Sequence, residues 1–159
     1  VGRYRRERDL YEKLAREVHD RCRRIMHNNA IRATYQWRYK DVDRLADKIE
    51  RKRTKFVAEG KAEPQNLDEW FIHLTDLAAV RIMTYEESDR IKATNQIVSA
   101  FTGIGGTKDP EPDPRNEVDA NAGRFYRATH LLVTLDREEI KETPLDNLEG
   151  IPCEIQICS

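Results

Sequence analysis

The tightest constraint on this chain is its final segment, Gly150-Ile-Pro-Cys-Glu-Ile-Gln-Ile-Cys-Ser159. Successive side chains of a strand point to opposite faces. Ile151, Cys153, Ile155 and Ile157 therefore share an apolar face, while Glu154 and Gln156 share a polar one. Such a strand cannot stand alone, because it needs neighbours for its backbone hydrogen bonds and a core to cover its isoleucines. It also carries a carboxylate at mid-strand. A lone glutamate there is most often a solvated charge on the wet face of a sheet, so its meaning depends on what the rest of the chain brings to that face.

Upstream, apolar periodicity alternates between helix and strand. From about Tyr4 to His27, residues Leu10, Leu14, Val18, Cys22, Ile25 and Met26 recur at three- and four-residue steps, predicting an amphipathic helix that Asn28-Asn29 ends and giving an N-terminal helical segment over 1–29. Ala30 to Lys40 alternates β-branched and aromatic residues and reads as a strand, with Arg38 and Lys40 pointing the same way. Asp41 or Asp43 caps a second helix to about Glu59, buried through Val42, Leu45, Ile49 and Phe56, and Gly60 closes it. Asn66 or Asp68 caps a short helix, Leu67 to Leu74. Asp76-Leu-Ala-Ala-Val-Arg-Ile-Met-Thr84 is a nearly continuous apolar run and so a central strand. Glu86 to Phe101 is expected as a helix with Ile91, Ile97, Val98 and Phe101 inward. Residues 102–123, rich in glycine and proline, read as a long flexible loop. Its Gly-Ile-Gly-Gly-Thr-Lys108 fails the spacing of a phosphate-binding P-loop. Arg124 to Leu135 forms another strand, and 136–149 a polar connection back to the last one. The expected fold is α/β (α+β), a single domain with a mixed four- to five-stranded sheet flanked by helices.

With 159 residues, 38% hydrophobic and 36% charged, the chain can build one modest core. No apolar run approaches the roughly 18 residues that span a bilayer, and the first residues lack the apolar centre of a signal peptide, so a cytoplasmic protein without membrane contact is expected. Cys22, Cys153 and Cys158 show no metal-ligand spacing and an odd count, which predicts reduced thiols. The net charge of −1 hides an asymmetry: residues 1–53 hold 17 Lys/Arg against 9 Asp/Glu, and the remainder is acidic. A basic half suits an anionic partner such as a nucleotide or a nucleic acid, although arginine-studded helices are commonly just solvated.

Two acids on separate strands, Asp76 and Glu154, can converge on one sheet edge and hold Mg²⁺, which favours one or two carboxylates plus phosphate oxygens. Beside them stand Arg38 and Lys40 at strand spacing, Lys48 on the following helix, and Tyr126 four residues before His130. Taken in order, four blocks resemble the synthetase domain of the RelA/SpoT family, closest in size to small alarmone synthetases. They are Arg38-Tyr-Lys40 with Lys48, Asp76-Leu-Ala-Ala-Val-Arg81, Tyr126-Arg-Ala-Thr-His130, and Glu154-Ile-Gln156.

The resemblance implies a nucleotidyltransferase-like synthetase fold and an ATP-dependent pyrophosphokinase. The β,γ-pyrophosphoryl group of ATP would move to a ribose 3′-hydroxyl of a guanosine nucleotide, GDP or GTP, giving (p)ppGpp and AMP. It further implies that Arg38 and Arg81 sandwich the donor adenine, and that Lys40 and Lys48 grip the ATP phosphates. Asp76 and Glu154 would ligate Mg²⁺, with Glu154 deprotonating or orienting the hydroxyl. Tyr126 would stack on the acceptor base, His130 would position the acceptor, and Gln156 would support that edge.

The chain departs from the family pattern on the acceptor side. Phe125 stands for the glycine before the tyrosine, Arg124 for an asparagine, and Ala122 for a phosphate-binding lysine whose charge Arg115 can supply in part. Arg44 replaces a serine, and Cys158-Ser159 replaces Arg-Thr. Toxin members of the family use adenosine nucleotides or the tRNA 3′ end as acceptors, which is one alternative. A non-catalytic nucleotide- or RNA-binding module is another, and a homo-oligomer stays open. An alarmone hydrolase is disfavoured, since His19-Asp20 lies within the first helix without further ligands.

Overall fold

The computed structural model describes residues 2–40, 42–61, 77–108 and 128–159. Helix α1 spans Gly2–Asn28, strand β1 Ala33–Tyr39, helix α2 Val42–Ala58 and strand β2 Ala78–Thr84. Helix α3 follows at Glu87–Ala100, then strands β3 (Thr102–Lys108) and β4 (Ala128–Thr134), a one-turn helix α4 (Arg137–Ile140), a 3-10 turn at Asp146–Leu148, and strand β5 (Cys153–Cys158). The expected helix at Leu67 to Leu74 lies outside the described residues.

The five strands form one mixed sheet in the order β1-β2-β5-β4-β3. β1 runs antiparallel to β2, β2 parallel to β5, β5 antiparallel to β4, and β4 antiparallel to β3. The last strand of the sequence therefore sits in the middle of the sheet. Its alternation is as expected: Cys153, Ile155 and Ile157 are fully buried, and Glu154 and Gln156 are half-buried on the opposite face.

Helix α1 packs across β1, β2 and β5 and against α3, so both helices cover one face of the sheet. Leu14, Val18, Cys22 and Met26 form its fully buried stripe, meeting Val80, Ile82, Leu131, Ile155 and Ile157 in a single core. Fully burying one such aliphatic side chain is worth about 1.5–3 kcal/mol, so the stripe is the main adhesive of the fold. Helix α2 has a much thinner hold, with Leu45 fully buried and Ile49 and Phe56 half-buried. Gly60 ends that segment at φ +68°, a left-handed turn that glycine takes without steric cost.

Three expectations need correction. Thr102–Lys108, expected as the start of a flexible loop, is an edge strand paired with β4 through shifts in register that let its glycines bulge. On α3, Ile91 and Val98 are exposed. The inward stripe is Arg90, Ala93, Ile97 and Phe101, because a buried arginine rather than an isoleucine sets its phase. Ala30, expected inside the first strand, turns the chain at φ 54° three residues before β1 begins. The connection 136–149 is also less loop-like than its polarity implies: Ile140 and Leu148 are buried, and Asp136 caps α4 by accepting from the Glu138 amide.

The side chain of Arg90 is buried among α3, β4 and the end of β5. It binds Thr129 and Glu87, and Glu87 also accepts from Ser159 Oγ at 3.0 Å. Among the described residues, no helix is long and apolar enough to cross a membrane.

Candidate active site

Register places the site. On the face away from α1, one row across adjacent strands runs Gln36, Arg81, Gln156 and His130, and the next runs Arg38, Ala79, Glu154 and Leu132. Side chains directly opposite in neighbouring strands are close, and diagonal ones lie roughly 7–8 Å apart at the backbone, within reach of long side chains. Both contacts occur. Arg81 Nε donates to Gln156 Oε1 at 3.0 Å, straight across the β2–β5 pair. His130 Nδ1 meets Glu154 Oε1 at 2.7 Å, along the diagonal of the β4–β5 pair.

Of these rows, Gln36, Arg38, Ala79, Arg81, Glu154 and Gln156 wall a cavity of about 450 Å³, together with His19, Tyr35, Trp37 and Val80. Ala79 opens it. As the one small side chain in the row between Arg38 and Glu154, it leaves a gap with a guanidinium on one side and a carboxylate on the other. Because β1 is an edge strand, the cavity also reaches round to its aromatic side. There His19 meets Tyr35 edge-on at 6.0 Å, and Trp37 stacks on Tyr39 at 6.5 Å with Arg16 over its ring.

The structure thus brings Arg38, Arg81, Glu154, Gln156 and His130 together on one face, the first four of them on the cavity wall. Lys40 follows β1, with its amide bonded to the carbonyl of Leu77, and Lys48 lies half-buried on α2 one turn after Leu45. Asp76, Arg115 and Tyr126 lie outside the described residues. His19, Gln36, Trp37 and Ala79 are cavity residues that the motifs did not single out. His19 is bonded to Asp20 at 2.9 Å on α1 and also lines the cavity.

No group of three or more His, Cys, Asp or Glu among the described residues is arranged to hold a metal. The donor chemistry of the site still suits a hard cation. Glu154 offers a carboxylate on the cavity wall, and the acid that precedes Leu77 in sequence is Asp76. Mg²⁺ commonly takes one or two such carboxylates and completes its shell with water and substrate phosphates.

Comparison with known proteins bears on the family and the fold. Residues 37–159 match the family model described as a region found in RelA / SpoT proteins. The fold is similar to that of small alarmone synthetase 1 from Bacillus subtilis, with a TM-score of 0.60 at 19% identity over 99% of this chain and 71% of that one. The same Bacillus subtilis protein bound to its product pppGpp gives a TM-score of 0.58 at 20% identity, over 97% of this chain and 72% of that one. A GTP pyrophosphokinase family protein from Streptococcus pneumoniae gives 0.58 at 17% identity, over 99% and 70%. No curated protein matches the sequence at a significant level. The family match runs over most of the chain and includes Arg38, Arg81, His130, Glu154 and Gln156, and on that ground the chain belongs to the RelA/SpoT family.

Proposed function

We propose that this RelA/SpoT-family pyrophosphokinase transfers the β,γ-pyrophosphoryl group of ATP to the 3′-hydroxyl of GDP or GTP. The observation that carries the reading is the pairing of Arg38 and Arg81 on diagonal positions of β1 and β2, one gap away from the Glu154 carboxylate. Two planar guanidiniums at diagonal spacing leave room for one flat base between them, a use that lysine cannot replace. Lys40 and Lys48 lie on the segments leaving β1 and would meet the phosphates. Phosphoryl transfer needs little covalent help from a protein; it needs alignment and neutralised charge.

Glu154 would take the proton of the attacking hydroxyl, which is a poor nucleophile at neutral pH. With Asp76 it would hold Mg²⁺, which supplies charge neutralisation on the phosphate oxygens. Tyr126, Arg115 and Gln156 are assigned to the acceptor. Structures of the similar Bacillus subtilis synthetase hold pppGpp in one case and AMPCPP in another, which supports a nucleotide on each side of the reaction.

The test is incubation with γ-labelled ATP and, separately, GDP, GTP, AMP, ADP, ATP or deacylated tRNA. Label is expected on the guanosine nucleotides with release of AMP. Glu154→Gln should bind ATP within a few-fold of the parent while losing about 10²–10⁴ in rate, the usual worth of a positioned base. Label on tRNA or an adenosine nucleotide alone would transfer the chain to the toxin-type reaction, and label on none would end the enzymatic reading.

A further inference from the structure

Resting on the proposed reaction, we infer that His130 acts through Glu154 rather than on the acceptor: it is the positioning residue that fixes the carboxylate for the hydroxyl. The contact is His130 Nδ1 to Glu154 Oε1 at 2.7 Å. A carboxylate only accepts, so Nδ1 must carry the proton of this bond. Nδ1–H faces Glu154, and Nε2 is the nitrogen left for other partners.

The neighbours of Glu154 show why such a clamp is needed. Its partner across β2 is Ala79, which cannot reach a carboxylate, and its partner across β4 is Leu132. Gln156, the residue directly opposite His130, is turned to Arg81 instead. Among the described residues His130 is therefore the polar side chain that restrains Glu154. Without it the carboxylate would have several rotamers open to it within the gap left by Ala79. Holding one oxygen leaves the other for the substrate. Correct placement of a reacting group within about 1 Å is worth about 10²-fold in rate.

Histidine variants separate this role from contact with the acceptor. The amide nitrogen of asparagine occupies the place of Nδ1, and that of glutamine the place of Nε2. With ATP and acceptor saturating, His130→Ala should lower kcat about 100-fold. His130→Asn should return to within tenfold of the parent, and His130→Gln should stay near the alanine variant. The acceptor KM should change little in all three. Recovery by glutamine instead, or a loss confined to acceptor KM, would place His130 on the acceptor and overturn the inference. So would an equal loss in all three that follows their melting temperatures.

A second readout does not involve turnover. In nucleotide-free protein, nitrogen NMR of the His130 ring should show a slowly exchanging proton on Nδ1 that Glu154→Ala abolishes. An unprotonated Nδ1, or no response to Glu154→Ala, refutes the clamp. If the clamp is seen but no acceptor is labelled by the parent protein, the proposed reaction fails and the positioning contact stands.

Discussion

Ala79 shows how much a single small residue can decide. The row Arg38, Ala79, Glu154 contains a cation, a methyl group and an anion, and the methyl creates the cavity floor that both charges look across. Ala79→Leu should therefore fill the gap from a backbone position already compatible with a bulky strand residue. ATP affinity, measured by calorimetry, is expected to fall at least tenfold. The melting temperature should shift by no more than a few degrees, since volume added to an open cavity meets less resistance than volume added to a packed core. A variant that keeps parental affinity would mean that the nucleotide does not enter this cavity. Ala79 was also hard to read in the sequence. Period-two alternation tells which residues share a face, and it correctly put Glu154 beside Gln156. It does not tell which strands are neighbours, and only the register reveals that Ala79 stands between Arg38 and Glu154.

The same distinction holds for the elements. Helix α1 and strands β1, β2, β4 and β5 were legible because their apolar periodicity is strong, with ends displaced by a few residues where turns such as that at Ala30 intrude. Strand β3 was not legible: Gly103, Gly105 and Gly106 carry no side-chain pattern, and its strand state comes from backbone bonds that β4 offers across a bulged register. The phase of α3 was misread because a buried arginine does not announce itself as core, although Arg90 is only 5% exposed and bound on two sides. Helix α2 is the element whose hold on the molecule is most easily tested. Leu45→Ala removes its fully buried anchor, and large-to-small core changes of this kind cost about 2–5 kcal/mol. Hydrogen exchange should show α2 amides losing protection while β5 amides keep theirs, and ATP affinity should fall because Lys48 rides on the same helix. Uniform loss of protection across the sheet would show instead that α2 is cooperative with the core.

At the scale of the whole molecule, the three thiols report on the integrity of the core. Cys22, Cys153 and Cys158 are all buried. Burial pushes the Cys22 thiol up to about 12, and pushes Cys153 well above the ordinary thiol value, with the neighbouring Cys22 and Glu154 adding to the effect. Alkylation at pH 8 followed by mass spectrometry should leave the native protein unmodified and give three adducts after denaturation, because the thiolate is the reactive form. The shifts also fix the sign of an alkaline effect. Above about pH 9 the unfolded chain releases thiol protons that the folded chain retains, so stability falls as pH rises from there towards 12. Cys22→Ala should flatten that decline, and an unchanged slope would assign it to other groups. The position of β5 between β2 and β4 has a consequence for how the molecule is made. Arg81 and Gln156, bonded across the centre of the sheet, are 75 residues apart in sequence, and β2 and β4 are both translated before the strand that joins them. Until Cys153 to Cys158 leave the ribosome, β2 and β4 lack the strand that pairs with both of them, and Glu154 is missing from the face that carries Arg38 and Arg81. Vectorial synthesis therefore closes the sheet only when β5 emerges, and a product truncated before β5 is expected to be digested faster by proteases than the parent, with β2 and β4 left without their shared neighbour.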